Sequence, residues 1–524
     1  MIGSAQRRAF LALALSSVTI IGSTLVGGLA LTPGIALGQP LNDEVERLMS
    51  KAKLSPDQVG ISIVELGKSV GAEVVLADIE SSRPRIPASN QKLLTAGAAL
   101  LILGKDYTYR TEFQMVGDTL VIKGSGDPSL GDPEMLNKSS SKLTLPDLLA
   151  AITGAIKQAG VTKVTEIVVD DRIFDRTFVH STWKAKHLTE WYGAQVAGLN
   201  FHANVLSVFP SPVNKRGAAP TYKVEPETDF IEIENSAKSL PGEPNAVDIE
   251  RLGEADKYRL KGSVGQSAQG PIEVPMHNNP LVFGRVIAEQ LAKQGVSVGS
   301  GEKAGIKAVR AVNLDEMFEN PRVVAVVTTP LVDVVKRCNT VSMNLYAECM
   351  FKLIGFEAAG RRQSGSWDNG AFALRRQISD RLGPEAAAGT VISDGSGLSV
   401  NNKVSPRTMT RWLALMAGDA QASDPFLKSL ATPAEGGLRK RMGKTQLKNS
   451  LQAKTGHIDG VSCLSGYITH ESSGTRVAFS FLTNDLNKGD KLGASMEMQI
   501  EMVRVLDAWL TKRCKEGKQA AAGG

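Results

Sequence analysis

Ser89 and Lys92, in the stretch IPASNQKLLTAG at residues 86–97, stand three positions apart, which places a hydroxyl and a primary amine one turn apart on one face of a helix. A serine hydroxyl is a weak nucleophile until a neighbouring base takes its proton, and a lysine amine is such a base when burial or a second cation holds it neutral. The chemistry on offer is covalent acyl transfer. The S-x-x-K pattern carries little alone, since Ser50 with Lys53, Ser139 with Lys142, Ser181 with Lys184 and Ser300 with Lys303 also match it. Helix capping would explain Ser89 as well. Two further motifs follow in order, Ser342-Met343-Asn344 and Lys454-Thr455-Gly456, and K-T-G occurs once in the chain. Lys454 is the second cation if its strand lies beside the Ser89 helix. Loop capping for Ser342 and Asn344, and an ordinary strand-edge lysine for Lys454, are the non-catalytic alternatives.

The elements around these motifs decide whether they can meet. Pro87 precedes a helix start, and Leu93, Leu94, Ala98 and Leu100 repeat with the spacing of a packed helix, so a helix begins at Ser89. Before it, VGISIVEL and EVVLADI read as a hairpin joined by a turn-rich GKSVGA. Ser342 falls where PLVDVVKRCNTVSMNLYAECMFKLIG is interrupted, which predicts two helices with a loop at residues 338–343. SLQAKTGHIDGVSCLSGYITH and TRVAFSFLTND alternate as sheet strands, and MEMQIEMVRVLDAWL is an amphipathic helix. Residues 39–104 and 326–512 thus form one discontinuous α/β (α+β) domain, an antiparallel sheet flanked by helices. Residues 105–325 form a large, mostly β insertion of one or two domains, interrupted by a helix near residues 280–295, and residues 513–524 read as a disordered tail. GVSVG at residues 295–299 imitates a hydrolase elbow, but a helical stretch precedes it where a strand is required, so Ser297 reads as a loop residue.

A chain of 524 residues with 42% hydrophobic and 22% charged residues is globular and has length for two to four domains. The formal charge of +6 is spread without a long basic run, which excludes nucleic acid as the natural partner. Residues 1–38 carry Arg7-Arg8, a long apolar stretch and the small residues Ala36 and Gly38, an export signal with features of the twin-arginine pattern. The apolar stretch is also long enough to stay as an uncleaved anchor, which leaves peripheral membrane association open. Cys338, Cys349, Cys463 and Cys514 form no C-x-x-C pair, and the six histidines form no H-E-x-x-H pair, so neither a zinc site nor a metal hydrolase is indicated. One disulfide among these cysteines is compatible with export.

Together, the three motifs resemble those of the active-serine penicillin-recognising enzymes. Ser342 lies 253 positions after Ser89, far more than a compact β-lactamase allows. With GSGDPSL, VVDDRIFD, WYGAQVAGLNFHANVLSV and the DGSGLS of residues 394–399, the chain from about residue 45 to 512 resembles the D-alanyl-D-alanine carboxypeptidase and endopeptidase family, the class C low-molecular-mass penicillin-binding proteins. The resemblance implies a β-lactamase/DD-peptidase-like fold and an enzyme of the cell envelope or periplasm that acts without metal or organic cofactor. It cuts peptidoglycan stem peptides ending in D-Ala-D-Ala or cross-linked, and is acylated by β-lactams. It assigns Ser89 as nucleophile, Lys92 as base, Ser342 as proton relay, Asn344 to the substrate backbone, and Lys454 with Thr455 to a terminal carboxylate. An oxyanion hole would come from the backbone N–H groups of Ser89 and His457, next to Gly456; a Thr or Ser is expected where His457 stands. Asp170 matches a position that contacts a side-chain amine of the substrate in some relatives, and DGSGLS is structural. A β-lactamase or esterase on the same framework, or a non-catalytic cell-wall-binding protein, are the competing readings.

Overall fold

The computed structural model describes residues 40–67, 71–254, 256–487 and 489–522; the export segment of residues 1–38 lies outside them. A five-stranded antiparallel sheet runs in the order Ser450–Ile458, Val461–Thr469, Arg476–Thr483, Val59–Glu65, Val74–Ile79, so strands near both ends of the chain meet in one sheet. Because side chains alternate between the faces of a strand, a sheet covered on both sides must be apolar at nearly every position, and Val461–Thr469 is buried throughout. One face carries Tyr467, Ala478 and Leu482 against a layer of helices that includes Gln91–Leu103, Asn344–Ala358 and Pro406–Gly418. The other face carries Ile61, Ile63, Leu464, Ile468, Phe479 and Phe481 under the N-terminal helix Asn42–Lys51 and the C-terminal helix Lys491–Ala522.

The C-terminal helix continues to Ala522, which corrects the expectation of a disordered tail from residue 513. The sequence there is rich in Lys, Glu, Gln and Ala, all good helix formers, and Lys512 and Glu516 pair at 3.8 Å across one turn. The helix break is also tighter than expected. Helices Leu331–Val341 and Asn344–Ala358 leave only Ser342 and Met343 between them, and Ser342 takes the left-handed conformation with φ 68°.

Between these halves lies a second five-stranded sheet, ordered Val309–Ala311, Glu166–Asp170, Thr119–Lys123, Thr108–Val116, Arg322–Pro330, with three smaller sheets besides it among the described residues. Its last strand runs to Pro330, past the boundary at residue 325, because RVVAVVTT keeps pairing with Thr108–Val116 in register. Besides the anticipated helix, found at Asn279–Lys293, it holds a helix at Leu145–Gln158 started by a Thr144/Asp147 capping box and a proline in the first turn. Ser297 falls in a two-residue strand, Ser297–Val298, rather than in a loop. Cys338, Cys349, Cys463 and Cys514 are all buried free thiols. No helix among the described residues is long and apolar enough to cross a membrane.

Candidate active site

Ser89 sits in a single 3-10 turn, Ala88–Asn90, that leads into the helix Gln91–Leu103. It does not cap that helix. The capping position is Asn90, and its side chain turns outward instead, donating from Nδ2 to the Lys454 carbonyl at 2.7 Å and accepting from Ser465 Oγ at 2.8 Å. These bonds tie the start of the helix to the K-T-G strand. The turn is strained: Ala88 holds φ 45°, a conformation that a non-glycine residue keeps only when its surroundings enforce it. Gly456 completes the junction, since a Cβ there would lie 2.9 Å from the Pro87 carbonyl oxygen and 3.1 Å from the Ser89 amide nitrogen. The strand and the Ser89 turn touch backbone to backbone.

The Lys92 amine makes three contacts: Ser89 Oγ at 3.1 Å, Asn344 Oδ1 at 2.6 Å and the Ser396 carbonyl at 2.9 Å. Asn344 Nδ2 donates to the Tyr192 carbonyl at 2.9 Å, which fixes the amide with its oxygen toward Lys92. Lys454 donates to Ser342 Oγ at 2.9 Å and to the carbonyl of Thr455 at 2.8 Å. Lys92 is 0% exposed and Lys454 2%. Removing an ammonium from water disfavours its charge, so burial pulls Lys92 below the ordinary lysine value; burial, then the nearby Lys92 amine, pulls Lys454 well below it. Ser89 and Thr455 are half-buried and His457 is exposed at the strand's end.

A profile of the D-Ala-D-Ala carboxypeptidase 3 (S13) family matches residues 41–508. The chain belongs to this peptidase family. A D-alanyl-D-alanine carboxypeptidase of Actinomadura sp. strain R39 is 28% identical to it over 508 residues, covering 92% of this chain and 87% of the relative. The D-alanyl-D-alanine carboxypeptidase DacB of Haemophilus influenzae is 23% identical, covering 89% and 94%. The crystal structure of penicillin binding protein 4 from the same organism superposes with a TM-score of 0.68 at 21% identity over 88% of this chain and 99% of that one, which establishes a shared fold. This S13 chain is therefore a serine-type D-Ala-D-Ala peptidase.

Of the residues expected at the S13 site, Ser89, Lys92, Ser342, Asn344, Lys454, Thr455 and Gly456 occupy one cluster, with His457 next in the strand. Asp170 does not join them through any contact. Both of its carboxylate oxygens are engaged by Arg172, at 2.9 and 2.8 Å, and that arginine reaches on to the Glu316 carbonyl at 2.6 Å. The neighbouring Asp171 pairs in the same way with Arg176 at 2.8 Å. Asn90, Tyr192, Ser396 and Ser465 also belong to the cluster: Tyr192 and Ser396 contribute backbone carbonyls, whose contacts no side-chain motif encodes, and Asn90 and Ser465 contribute side chains. Among the described residues, no group of three or more His, Cys, Asp or Glu side chains could hold a metal ion.

Proposed function

We propose that the chain is an exported D-Ala-D-Ala carboxypeptidase of the cell envelope that releases the terminal D-alanine of peptidoglycan stem peptides through an acyl-enzyme on Ser89, with cross-link cleavage as the related endopeptidase reaction. The observation that carries the assignment is the set of partners around the Lys92 amine. A neutral amine has two N–H groups and one lone pair. Asn344 Oδ1 and the Ser396 carbonyl can only accept, so they take both N–H groups and leave the lone pair facing the Ser89 hydroxyl. Burial favours the neutral form.

Ser89 Oγ then attacks the carbonyl carbon between the two D-alanines as its proton passes to Lys92. The developing oxyanion is met by the backbone N–H groups of Ser89 and His457, a pairing supported by the close approach of Gly456, the residue before His457, to the Ser89 amide. When the intermediate collapses, the departing amine needs a proton, and the hydrogen bond from Lys454 to Ser342 is a route for one. The terminal carboxylate lies against Lys454 and Thr455. Its negative charge is the counter-ion that Lys454 lacks when the cleft is empty, so binding favours the protonated lysine. Water on the acyl carbonyl, with the same groups in reverse, releases the shortened peptide. A β-lactam presents the same carboxylate and carbonyl and acylates Ser89.

The test is labelling with a fluorescent penicillin, peptide mapping of the adduct, and loss of D-alanine from a pentapeptide followed by mass. The expected result is an adduct on Ser89 that is absent from Ser89→Ala, with D-alanine released only by the wild type. No adduct on folded wild type, or an adduct elsewhere, would remove the acyl-enzyme assignment; rapid turnover of the penicillin would point to a β-lactamase instead.

A further inference from the structure

The loop Asp394–Gly397 is wedged between the helix that begins after Ser89 and the helix that begins at Asn344. A Cβ at Gly395 would lie 2.6 Å from Phe351 Cβ, and one at Gly397 would lie 1.9 Å from the Ala88 carbonyl oxygen, so the loop backbone touches both. Glu348 lies at the base of this wedge on the helix Asn344–Ala358, fully buried. Its Oε1 accepts from the Ser396 amide at 2.8 Å, and its Oε2 accepts from the Gly395 amide at 3.0 Å and from Trp367 Nε1 at 2.8 Å. On the far side of the same residue, the Ser396 carbonyl takes the Lys92 amine at 2.9 Å, while Thr95 Oγ1 donates to the Gly395 carbonyl at 2.7 Å. Ser396 is thus gripped at its N–H by a carboxylate and presents its C=O to the base.

We propose that Glu348 is a positioning residue for acyl transfer: by anchoring the Gly395 and Ser396 amides it fixes the carbonyl that turns the Lys92 lone pair toward Ser89. The proposal rests on the roles given above to Ser89 and Lys92. A carboxylate is the side chain this position needs, because all three partners are N–H donors and only a group with acceptors on both oxygens satisfies them. A glutamine would have to turn its NH2 against the Ser396 amide or against the Gly395 and Trp367 donors together. The charged and titratable groups facing Glu348 are Asp394 on the loop, Lys92 on the Ser89 helix, Lys352 one turn along its own helix over the Trp367 ring, and the thiols of Cys338 and Cys349. Asp394 is itself held by the amides of Gly397 and Ser399, by Trp183 Nε1 and by Asn402 Nδ2. Burial, then the Asp394 charge, raises the Glu348 carboxyl to about 7, and above that pH its charge favours the protonated form of Lys92.

Removing that charge therefore has two separable effects. The acid limb of the acylation profile moves to lower pH, because Lys92 loses its proton more readily, while the plateau falls because the Ser396 carbonyl is released. The experiment measures the acylation rate by fluorescent penicillin across about pH 5–9 for wild type, Ser89→Ala, Glu348→Gln and Glu348→Asp, with the fraction of reactive enzyme titrated in each. Glu348→Gln is expected to acylate about 100-fold more slowly at its plateau, with the limb displaced downward and the reactive fraction preserved. Glu348→Asp keeps the charge but withdraws the carboxylate from the loop; it is expected to lose rate with the limb in place, and it decides the matter if the glutamine variant does not fold. Wild-type rates and limbs in these variants, or a loss explained wholly by a smaller reactive fraction, overturn the proposal while Ser89 labelling stands. A folded wild type that gives no adduct on Ser89 overturns the nucleophile assignment, and the proposal with it.

Discussion

Lys92 is useful because it is buried among acceptors. Each of its contacts except Ser89 is an oxygen that cannot donate, so the amine has one direction left in which to act as a base. In the proposed mechanism acylation requires the neutral amine, and burial holds its pKa below the ordinary 10.5. The rate of penicillin acylation should accordingly rise with pH along a limb that lies below that value; a limb at the ordinary lysine position would mean a solvated Lys92. Stability follows the same sign. The unfolded chain binds protons on Lys92 and Lys454 that the folded chain releases, so their contribution improves as pH rises from the depressed folded values toward the ordinary one. Asp170 is a different case, because its carboxylate is buried and already committed to Arg172. Asp170→Asn is expected to destabilise the protein by about 1–3 kcal/mol, measured by urea unfolding, without changing the preference among stem peptides that differ in a side-chain amine. A selective loss for the amine-bearing peptide would return Asp170 to the substrate site.

Elements with a strong period were legible before any coordinates. The Ser89 helix, the K-T-G hairpin and the C-terminal helix follow from apolar spacing, and three short motifs in order single out Ser89 and Lys92 as candidate nucleophile and base. The helix Leu145–Gln158 was overlooked amid alternating runs, although its Thr-Leu-Pro-Asp start is a legible capping signal. What no local pattern could disclose is how the elements are joined. Asn90 looks like a helix cap and acts as a tie to Lys454, 364 positions away. DGSGLS reads as a tight loop, yet its backbone supplies a partner to the Lys92 amine. Gly397 makes that dependence testable: it holds φ 83°, and a Cβ would run into the Ala88 carbonyl at 1.9 Å. Gly397→Ala should cost about 1–3 kcal/mol and slow acylation, because either the loop or the strained turn at Ala88 must move. Gly389→Ala, where the nearest atom to a Cβ is 3.7 Å away, is the control expected to do neither in the same urea and labelling assays.

At the scale of the whole described chain, the insertion is joined to the peptidase helices and forms part of the site. Tyr192 holds the Asn344 amide, Lys186 pairs with Asp459 just beyond the K-T-G strand, and Phe174, Trp183 and Val196 are buried in the same core as the Ser89 helix. One buried polar link is Asp132. It caps the short helix Pro133–Lys138 within the insertion, and its carboxylate also takes Arg337 at 2.8 and 3.0 Å and the Tyr346 hydroxyl at 2.6 Å. Those two partners stand on the helices either side of Ser342, so one carboxylate fixes the break that presents Ser342 and Asn344. Asp132 is 1% exposed at its side chain and Arg337 10%; removing one member of such a pair leaves a buried charge without its counter-ion. Arg337→Ala is therefore expected to destabilise the enzyme by about 3–5 kcal/mol. Because Asp132 couples the insertion to both helices, urea unfolding followed by tryptophan fluorescence and by penicillin labelling should give one coincident transition, at lower urea than wild type. Arg337→Lys, which keeps the charge but loses the fork that meets both oxygens, should fall between the two. A wild-type midpoint in Arg337→Ala, or labelling that survives after the tryptophan fluorescence has changed, would show that the Asp132 link does not couple folding to the labelled site.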